Sequence, residues 1–349
     1  MLFVDIEKRV GDFTLNVCFE SKRGVLSLVG MSGSGKSLTL KCIAGIERPD
    51  KGRIILNNRT LFDSEKGIDV PPQKRRVGYL FQQYALFPNM SVKQNIEAAL
   101  HHLPRKERQN AANEILREFG IEKLQNKMPR VLSGGEQQRC ALARIIASNP
   151  EALLLDEPFS ALDSFLKWQL LVDIKNTIER FGKDVIFVTH NIDEIFGLSD
   201  KVCVLSAGKT EEVVSASDAY RCPKTVSAAK LLGCNNFSRI DLSEKGIVGC
   251  SDWNVKLKSN SIKISESNVS YAGIYAKDIE LRSNSDEEEN VVSGIISQIV
   301  QVGTEKVAII KISDTENHIW ATFKANQTVN INEKIKVYID PEKLLLLEE

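Results

Sequence analysis

Val25-Leu26-Ser27-Leu28-Val29-Gly30-Met31-Ser32-Gly33-Ser34-Gly35-Lys36-Ser37 is the stretch that decides the fold. Its first five residues form an apolar run of strand length. Gly30 to Ser37 fits the pattern G-x-x-x-x-G-K-[ST]. Ser37 to Ala44 then reads as a helix, so the glycines lie between a strand and a helix N-terminus. Glycines let the backbone curl until several N–H groups face one phosphate. The positive end of the helix faces the same anion. Gly30, Ser32, Gly33, Ser34, Gly35, Lys36, Ser37 and Leu38 are therefore expected to hold ATP. Lys36 should bridge its β- and γ-phosphates and the Ser37 hydroxyl should ligate Mg²⁺.

Two further apolar runs are Leu153-Leu154-Leu155 and Val185-Ile186-Phe187-Val188. Runs without alternation suit a parallel sheet covered on both faces. The first ends in Asp156-Glu157-Pro158, and carboxylates are costly at a sheet end unless paired or metal-bound. Asp156 is expected at Mg²⁺ and Glu157 beside the attacking water. Between these runs the pattern turns helical. Asn110 to Phe119 is the clearest case, with Gly120 as its stop. A helical subdomain over about 84–150 follows. Leu132-Ser133-Gly134-Gly135-Glu136-Gln137-Gln138-Arg139 reads as another helix start. It is either a second anion site or an ordinary capping box of Ser133 with Glu136.

P-loop, Gln82, Leu-Ser-Gly-Gly-Glu-Gln, Leu-Leu-Asp-Glu-Pro, Ser160-Ala161-Leu162-Asp163 and Thr189-His190 together resemble the ABC ATPase family, over roughly residues 1–230. The resemblance implies a RecA-like P-loop NTPase fold over 1–233, with the helical subdomain inserted. It implies two cassettes packed head to tail as a homodimer through an ATP sandwich. In that arrangement Ser133, Gly134, Gly135, Glu136 and Gln137 of one copy close over ATP on the other. Gln82 would contact Mg²⁺ and the attacking water, and His190 the γ-phosphate, making Glu157, His190 and Gln82 the catalytic set. Asp163 would lie at the subunit interface. The ring that stacks on adenine is expected at Phe13, although Val10 holds the apparent position and Phe13 reads equally as a core aromatic.

The resemblance also implies integral-membrane permease subunits as partners and, through them, an extracytoplasmic solute-binding protein. Tyr84, Leu86 and Phe87 are apolar for a loop. They read either as a groove for the permease or as local packing. Phe62 to Ile68 and Pro72 to Gln82 are most similar to ATPases of molybdate importers. Sulfate and ferric-iron importer ATPases share the later portion. A soluble ABC ATPase of repair or translation is the alternative of another class; such proteins carry tandem cassettes or a coiled-coil insertion. An oxyanion sensor with an inactive cassette is disfavoured by Lys36, Asp156, Glu157 and His190.

From about residue 234 the texture changes to alternating polar and apolar residues. Trp253 to Lys258, Lys306 to Ile312 and Lys334 to Ile339 are examples. This predicts a β-rich region over 234–349, with a small all-β barrel at about 288–349 similar to the TOBE or Mop type. Barrels of that type that bind molybdate tend to carry Ser-x-Arg-Asn where this chain has Glu287-Glu288-Glu289-Asn290. They place a lysine near the apparent position of Asp340. Negative charge there would repel an oxyanion, so this barrel is not expected to bind one.

Lys+Arg and Asp+Glu both number 46 in 349 residues, a formal net charge of zero. No global field draws nucleic acid, so none is expected as a partner. No apolar run is long enough to span a bilayer. The expected location is the cytoplasmic face of the membrane, held there by a partner. Seven dispersed cysteines without a Cys-x-x-Cys pair fit a reducing compartment.

Overall fold

A computed structural model describes residues 1–160, 164–244, 247–258, 268–282, 289–313, 315–323, 327 and 329–349, without the side chains of 164–166 and 242–244. It divides into two compact units, Met1–Ala216 and Ser217–Glu349. The first unit opens with β1 (Leu2–Val10), β2 (Phe13–Ser21), β3 (Gly24–Val29), α1 (Lys36–Ala44), β4 (Lys51–Leu56), β5 (Arg59–Asp63), β6 (Ile68–Asp69), α2 (Pro72–Arg75) and β7 (Val77–Leu80). It continues with α3 (Val92–Ala99), α4 (Arg105–Glu118), α5 (Gly134–Ala147), β8 (Ala152–Asp156), α6 (Ser164–Phe181) and β9 (Asp184–Thr189). It closes with α7 (Ile192–Leu198), β10 (Lys201–Ser206), β11 (Lys209–Thr210) and β12 (Val214–Ser215).

One sheet runs β6-β5-β4-β1-β2-β11-β10-β3-β9-β8-β7, with β12 on β10. β10, β3, β9, β8 and β7 are parallel, and β2, β1, β4, β5 and β6 form an antiparallel wing. The parallel strands explain their unalternating sequences. Leu154, Ile186 and Val188 join one apolar layer with Leu40 and Ile43 of α1. Leu153, Leu155, Val185 and Phe187 join the opposite layer with residues of α5 and α6. Each buried strand thus feeds two cores, and each side chain of this size contributes roughly 1.5–3 kcal/mol by leaving water.

The helical subdomain has its own core, built from α3, α4 and α5 around Val92, Ile96, Leu116 and Cys140. α4 stops where its sequence says: Phe119 caps it and Gly120 takes φ +63°, left-handed. Arg75 is wholly buried at the far end of α1. Its Nη1 donates to the carbonyls of Cys42 and Ile43 at 2.8 and 2.9 Å, and its Nε to Val70 at 2.7 Å. One guanidinium therefore adds donors to carbonyls at the helix end, of which Cys42 O also accepts from Gly45 N at 3.2 Å.

The second unit contains α8 (Ala216–Arg221, whose first residue belongs to the first unit), α9 (Val226–Leu231), β13 (Asn236–Glu244), β14 (Ile247–Cys250), β15 (Val255–Lys258), β16 (Tyr271–Ile274) and β17 (Ile279–Arg282). β18 (Val291–Val302), β19 (Glu305–Ile312), β20 (His318–Phe323), β21 (Lys334–Ile339) and β22 (Leu345–Leu347) complete it. Two five-stranded sheets, β15-β14-β13-β16-β22 and β17-β21-β18-β19-β20, share one core. Buried Asn236 on β13 staples them: its Nδ2 donates to Trp320 O at 2.9 Å and its Oδ1 accepts from Trp320 N at 2.7 Å.

The compact units divide after Ala216, so residues 217–233, expected with the cassette, lie in the second unit. There Tyr220 stacks on Tyr275 with ring centroids 4.4 Å apart, and Val226 N donates to Glu348 O at 3.0 Å. Within the β region, strands of 288–349 pair outside that span: β17 pairs with β21 and β22 pairs with β16.

Candidate nucleotide site

Four parallel strands deliver the site. β3 and β9 are aligned so that Val29 faces Thr189, and β9 and β8 so that Val188 faces Asp156. Leu80 at the end of β7 faces Leu155. The loop after β3, Asp156 and Glu157 after β8, His190 after β9 and Gln82 after β7 therefore share one edge. Open α/β sheets bind ligands at this carboxyl edge.

The glycine loop is shaped as a cradle. Gly33 and Gly35 take φ +80° and +105°, where side chains are strained. A Cβ on Gly35 would lie 2.5 Å from Leu15 Cδ1. Lys36 is buried and its Nζ donates to the carbonyls of Gly30 and Met31 at 2.8 and 2.9 Å. Burial pushes the Lys36 pKa down, while Glu157 and Asp156 oppose that shift. Ser34 Oγ is buried without a hydrogen-bond partner in the protein. A buried hydroxyl of this kind is costly until something pairs with it, and a phosphate oxygen has the right chemistry.

Ser37 Oγ donates to Asp156 Oδ1 at 2.8 Å, and Tyr79 OH donates to Asp156 Oδ2 at 2.8 Å. A hydroxyl beside a carboxylate is an oxygen donor set that fits Mg²⁺. Glu157 holds φ +44°, and its Oε1 lies 3.5 Å from His190 Nδ1. Such a backbone angle is uncommon for a non-glycine residue and gathers at functional sites. Gln82 Nε2 donates to Ser160 Oγ at 3.2 Å, and Ser160 Oγ donates to Glu157 O at 3.0 Å. A cavity of about 490 Å³ is lined by Val10, Phe13, Ser32, Gly33, Gly35, Lys36, Ser37, Leu38, Gln82 and Glu157.

Phe13 and Val10 both line that cavity, and they differ in setting. Val10 is 51% exposed. Phe13 is half-buried and packs against the main core, 3.2 Å from where a Gly35 Cβ would stand. The signature lies apart from this cavity. Ser133 caps α5 in the expected capping box: its N–H donates to Glu136 Oε2 at 2.8 Å and its hydroxyl donates there at 3.0 Å. The Ser133 N–H is the main reason the Glu136 carboxyl titrates below its ordinary value. Gln137 Nε2 donates to the carbonyls of Pro129 and Leu132, both at 3.2 Å. Gly134 and Gly135 form the first turn of α5. Asp163 lies outside the described residues.

The sequence reading assigned no role to Tyr79, Arg75, Lys167 or Glu194. Tyr79 stands on β7, one residue before its end, and no motif in the sequence singles it out. In the glutamine loop Tyr84 is buried and Leu86 is partly buried against two cores. Phe87 is 46% exposed, with the Arg144 guanidinium 4.9 Å from its ring. Local packing thus accounts for Tyr84 and Leu86, and Phe87 is the apolar residue left at the surface.

Fold and site together define a P-loop nucleotide-binding cassette with an inserted helical subdomain and an appended β-rich unit. The family described as "ABC transporter" matches residues 15–160. The Fe(3+) ions import ATP-binding protein FbpC 2 of Haemophilus influenzae is 32% identical, over 93% of this chain and 90% of its own length. The chain belongs to the ABC transporter ATP-binding protein family. The molybdenum import ATP-binding protein ModC of Paramagnetospirillum magneticum is 42% identical over 60% of this chain, a match that spans 58% of ModC's length. The dimeric ATP-binding cassette MJ0796, solved in a post-hydrolysis state with ADP and Pi, superposes with a TM-score of 0.53 at 30% identity. That match covers 62% of this chain and 99% of that one.

Proposed function

We propose that the chain is the ATP-hydrolysing subunit of a membrane importer, with molybdate as the solute. The observation that carries it is the convergence of Ser37, Asp156, Glu157, Gln82 and His190 beside Lys36 at one sheet edge. Lys36 and the loop N–H groups bind and orient the phosphates of ATP, with the unpaired Ser34 hydroxyl available to them. Ser37, Asp156 and Gln82 are the residues that would hold Mg²⁺. That ion supplies charge neutralisation on the phosphate oxygens. Glu157 orients the attacking water and draws its proton toward a carboxylate oxygen. His190 sits next to that carboxylate and contacts the γ-phosphate. Phe13 stacks on adenine.

Ser133, Gly134, Gly135, Glu136 and Gln137 do not line this cavity in their own chain. That supports their acting across a homodimer, where they close over ATP held by a second copy. ATP then serves as a clamp whose loss after hydrolysis reopens the pair, and the permease follows this cycle. No described helix is long and apolar enough to cross a membrane. Likeness to import ATP-binding proteins supports a place on the cytoplasmic face of a permease, with a solute-binding protein on the other side.

Molybdate is supported by ModC relatives at 38–42% identity. Ferric iron is the second reading, supported by the FbpC match along nearly the whole chain. The β unit is proposed to serve dimer contact or regulation. Glu289 pairs with Lys258, and Asp340 Oδ1 accepts from Glu342 N at 3.0 Å as a cap, so both carboxylates have structural work there. Glu287 and Glu288 lie outside the described residues.

Glu157→Gln tests the hydrolytic reading. The variant should lose turnover, retain ATP and elute as a dimer with ATP. A monomer without nucleotide, or unchanged turnover, would refute it. Stimulation of the reconstituted complex by binding protein loaded with molybdate, and not with ferric iron, tests the solute.

A further inference from the structure

Glu194 is nearly fully buried, 5% exposed, and takes no part in the chemistry described above. A buried carboxylate is retained only where hydrogen bonds and a countercharge repay its desolvation. Here both are present. Its Oε1 pairs with Lys167 Nζ at 2.5 Å, and its other oxygen accepts from the Thr189 hydroxyl. Thr189 Oγ1 in turn accepts from Asn191 N at 3.0 Å. Asn191 caps α7, its Oδ1 accepting from Asp193 N at 2.9 Å and Glu194 N at 3.3 Å.

Thr189 and Asn191 are the two neighbours of His190 in the chain. Both are held in one hydrogen-bonded loop whose shared element is Glu194. His190 itself is 64% exposed, with Glu157 Oε1 at 3.5 Å from its Nδ1. An imidazole this exposed depends for its position largely on the backbone that carries it. Lys167 ties the same carboxylate to α6, the helix that follows the Glu157 strand end and Ser160.

We propose that Glu194, anchored by Lys167, is a positioning residue for His190: it fixes the turn that presents the imidazole to Glu157 and to the γ-phosphate. The inference rests on the ATP-hydrolysing reading of the site. Glu194 does not line the nucleotide cavity and acts only through His190.

The test is a double-mutant cycle on the full chain, read by single-turnover ATP hydrolysis. Glu194→Ala should lower the hydrolysis rate about tenfold or more with ATP affinity within about twofold, the split expected of misplacement rather than lost binding. Glu194→Gln keeps an acceptor for Thr189 but loses the charge that Lys167 answers. It should fall between wild type and alanine, and it guards against a folding defect in the alanine variant. In a His190→Ala background, Glu194→Ala should change the rate less than about twofold, because the residue it positions is gone. Loss by the same factor in both backgrounds would show a merely structural role and overturn the proposal. So would an unchanged rate in Glu194→Ala. Wild-type turnover in His190→Ala would overturn the hydrolytic role of His190 as well, and so marks failure of the underlying reading.

Discussion

The Ser37 hydroxyl donates to Asp156 Oδ1 over 2.8 Å although 119 residues separate them. The pair is preassembled: a short strand end and a helix start meet with their oxygens side by side. The second Asp156 oxygen is held by Tyr79, so the carboxylate has little freedom to rotate. Asp156→Asn preserves the shape and removes the charge. It should lower ATP turnover about 100-fold or more. The rise in melting temperature given by ATP should become the same with Mg²⁺ as with a chelator. A persisting Mg²⁺-dependent rise would show that another residue holds the ion.

Arg75 should govern stability rather than chemistry. Burial pushes its pKa down, yet Asp69 and three carbonyls keep it charged and satisfied. Arg75→Met would remove the guanidinium's hydrogen bonds to three carbonyls, of which Cys42 O keeps only its bond from Gly45 N, at a cost of about 2–4 kcal/mol. Gly45→Ala should act in the same direction. Its φ is +79°, and a Cβ there would stand 2.4 Å from Arg75 Nε. Chemical denaturation of both variants measures the loss.

Glu136 carries a pH dependence with a definite sign. The Ser133 N–H, first among its contacts, holds the carboxyl below its ordinary value of 4.5. A group depressed by folding stabilises the fold above its unfolded value and loses that contribution as pH falls through the folded value. Wild type should therefore melt above Glu136→Gln at pH 7, and the gap should shrink as pH falls below the ordinary value of 4.5 and close below the folded one. A gap that widened on acidification would contradict the capping role.

Phe87 marks the surface expected to meet the permease. It is 46% exposed, whereas Tyr84 and Leu86 are engaged in packing. Phe87→Glu should leave basal ATP turnover of the isolated chain within about twofold and abolish co-purification with permease subunits. Undiminished assembly would place the docking surface elsewhere. A charge at Leu86 would disturb two cores, which makes Phe87 the cleaner position.

The motifs were legible because each is local. A glycine loop between an apolar strand and a helix, Ser133 followed three residues later by Glu136, and a carboxylate pair ending a Leu run all declare themselves within a dozen residues. The capping box formed as read, as did the stop of α4 at Gly120. Phe13 shows where such reading ends. Composition could not separate a stacking ring from a core ring, and the structure shows it both lining the cavity and packed on the core. The compact units divide at 216 rather than at 233 for a related reason. α8 and α9 carry no textural mark of their allegiance, which depends on partners such as Tyr275 and Glu348 far along the chain.

By itself the sequence determined which residues could bind phosphate, hold a divalent ion and shift a proton, because spacing and side-chain chemistry are written along the chain. Tertiary structure alone decided which of them meet. The strand order β3-β9-β8-β7 sets Ser37 beside Asp156 and His190 beside Glu157, and it recruits Tyr79 and the Lys167–Glu194 pair that no motif announces. The physical reason is that sheet register couples segments through backbone hydrogen bonds, which carry no side-chain signature to be read in advance.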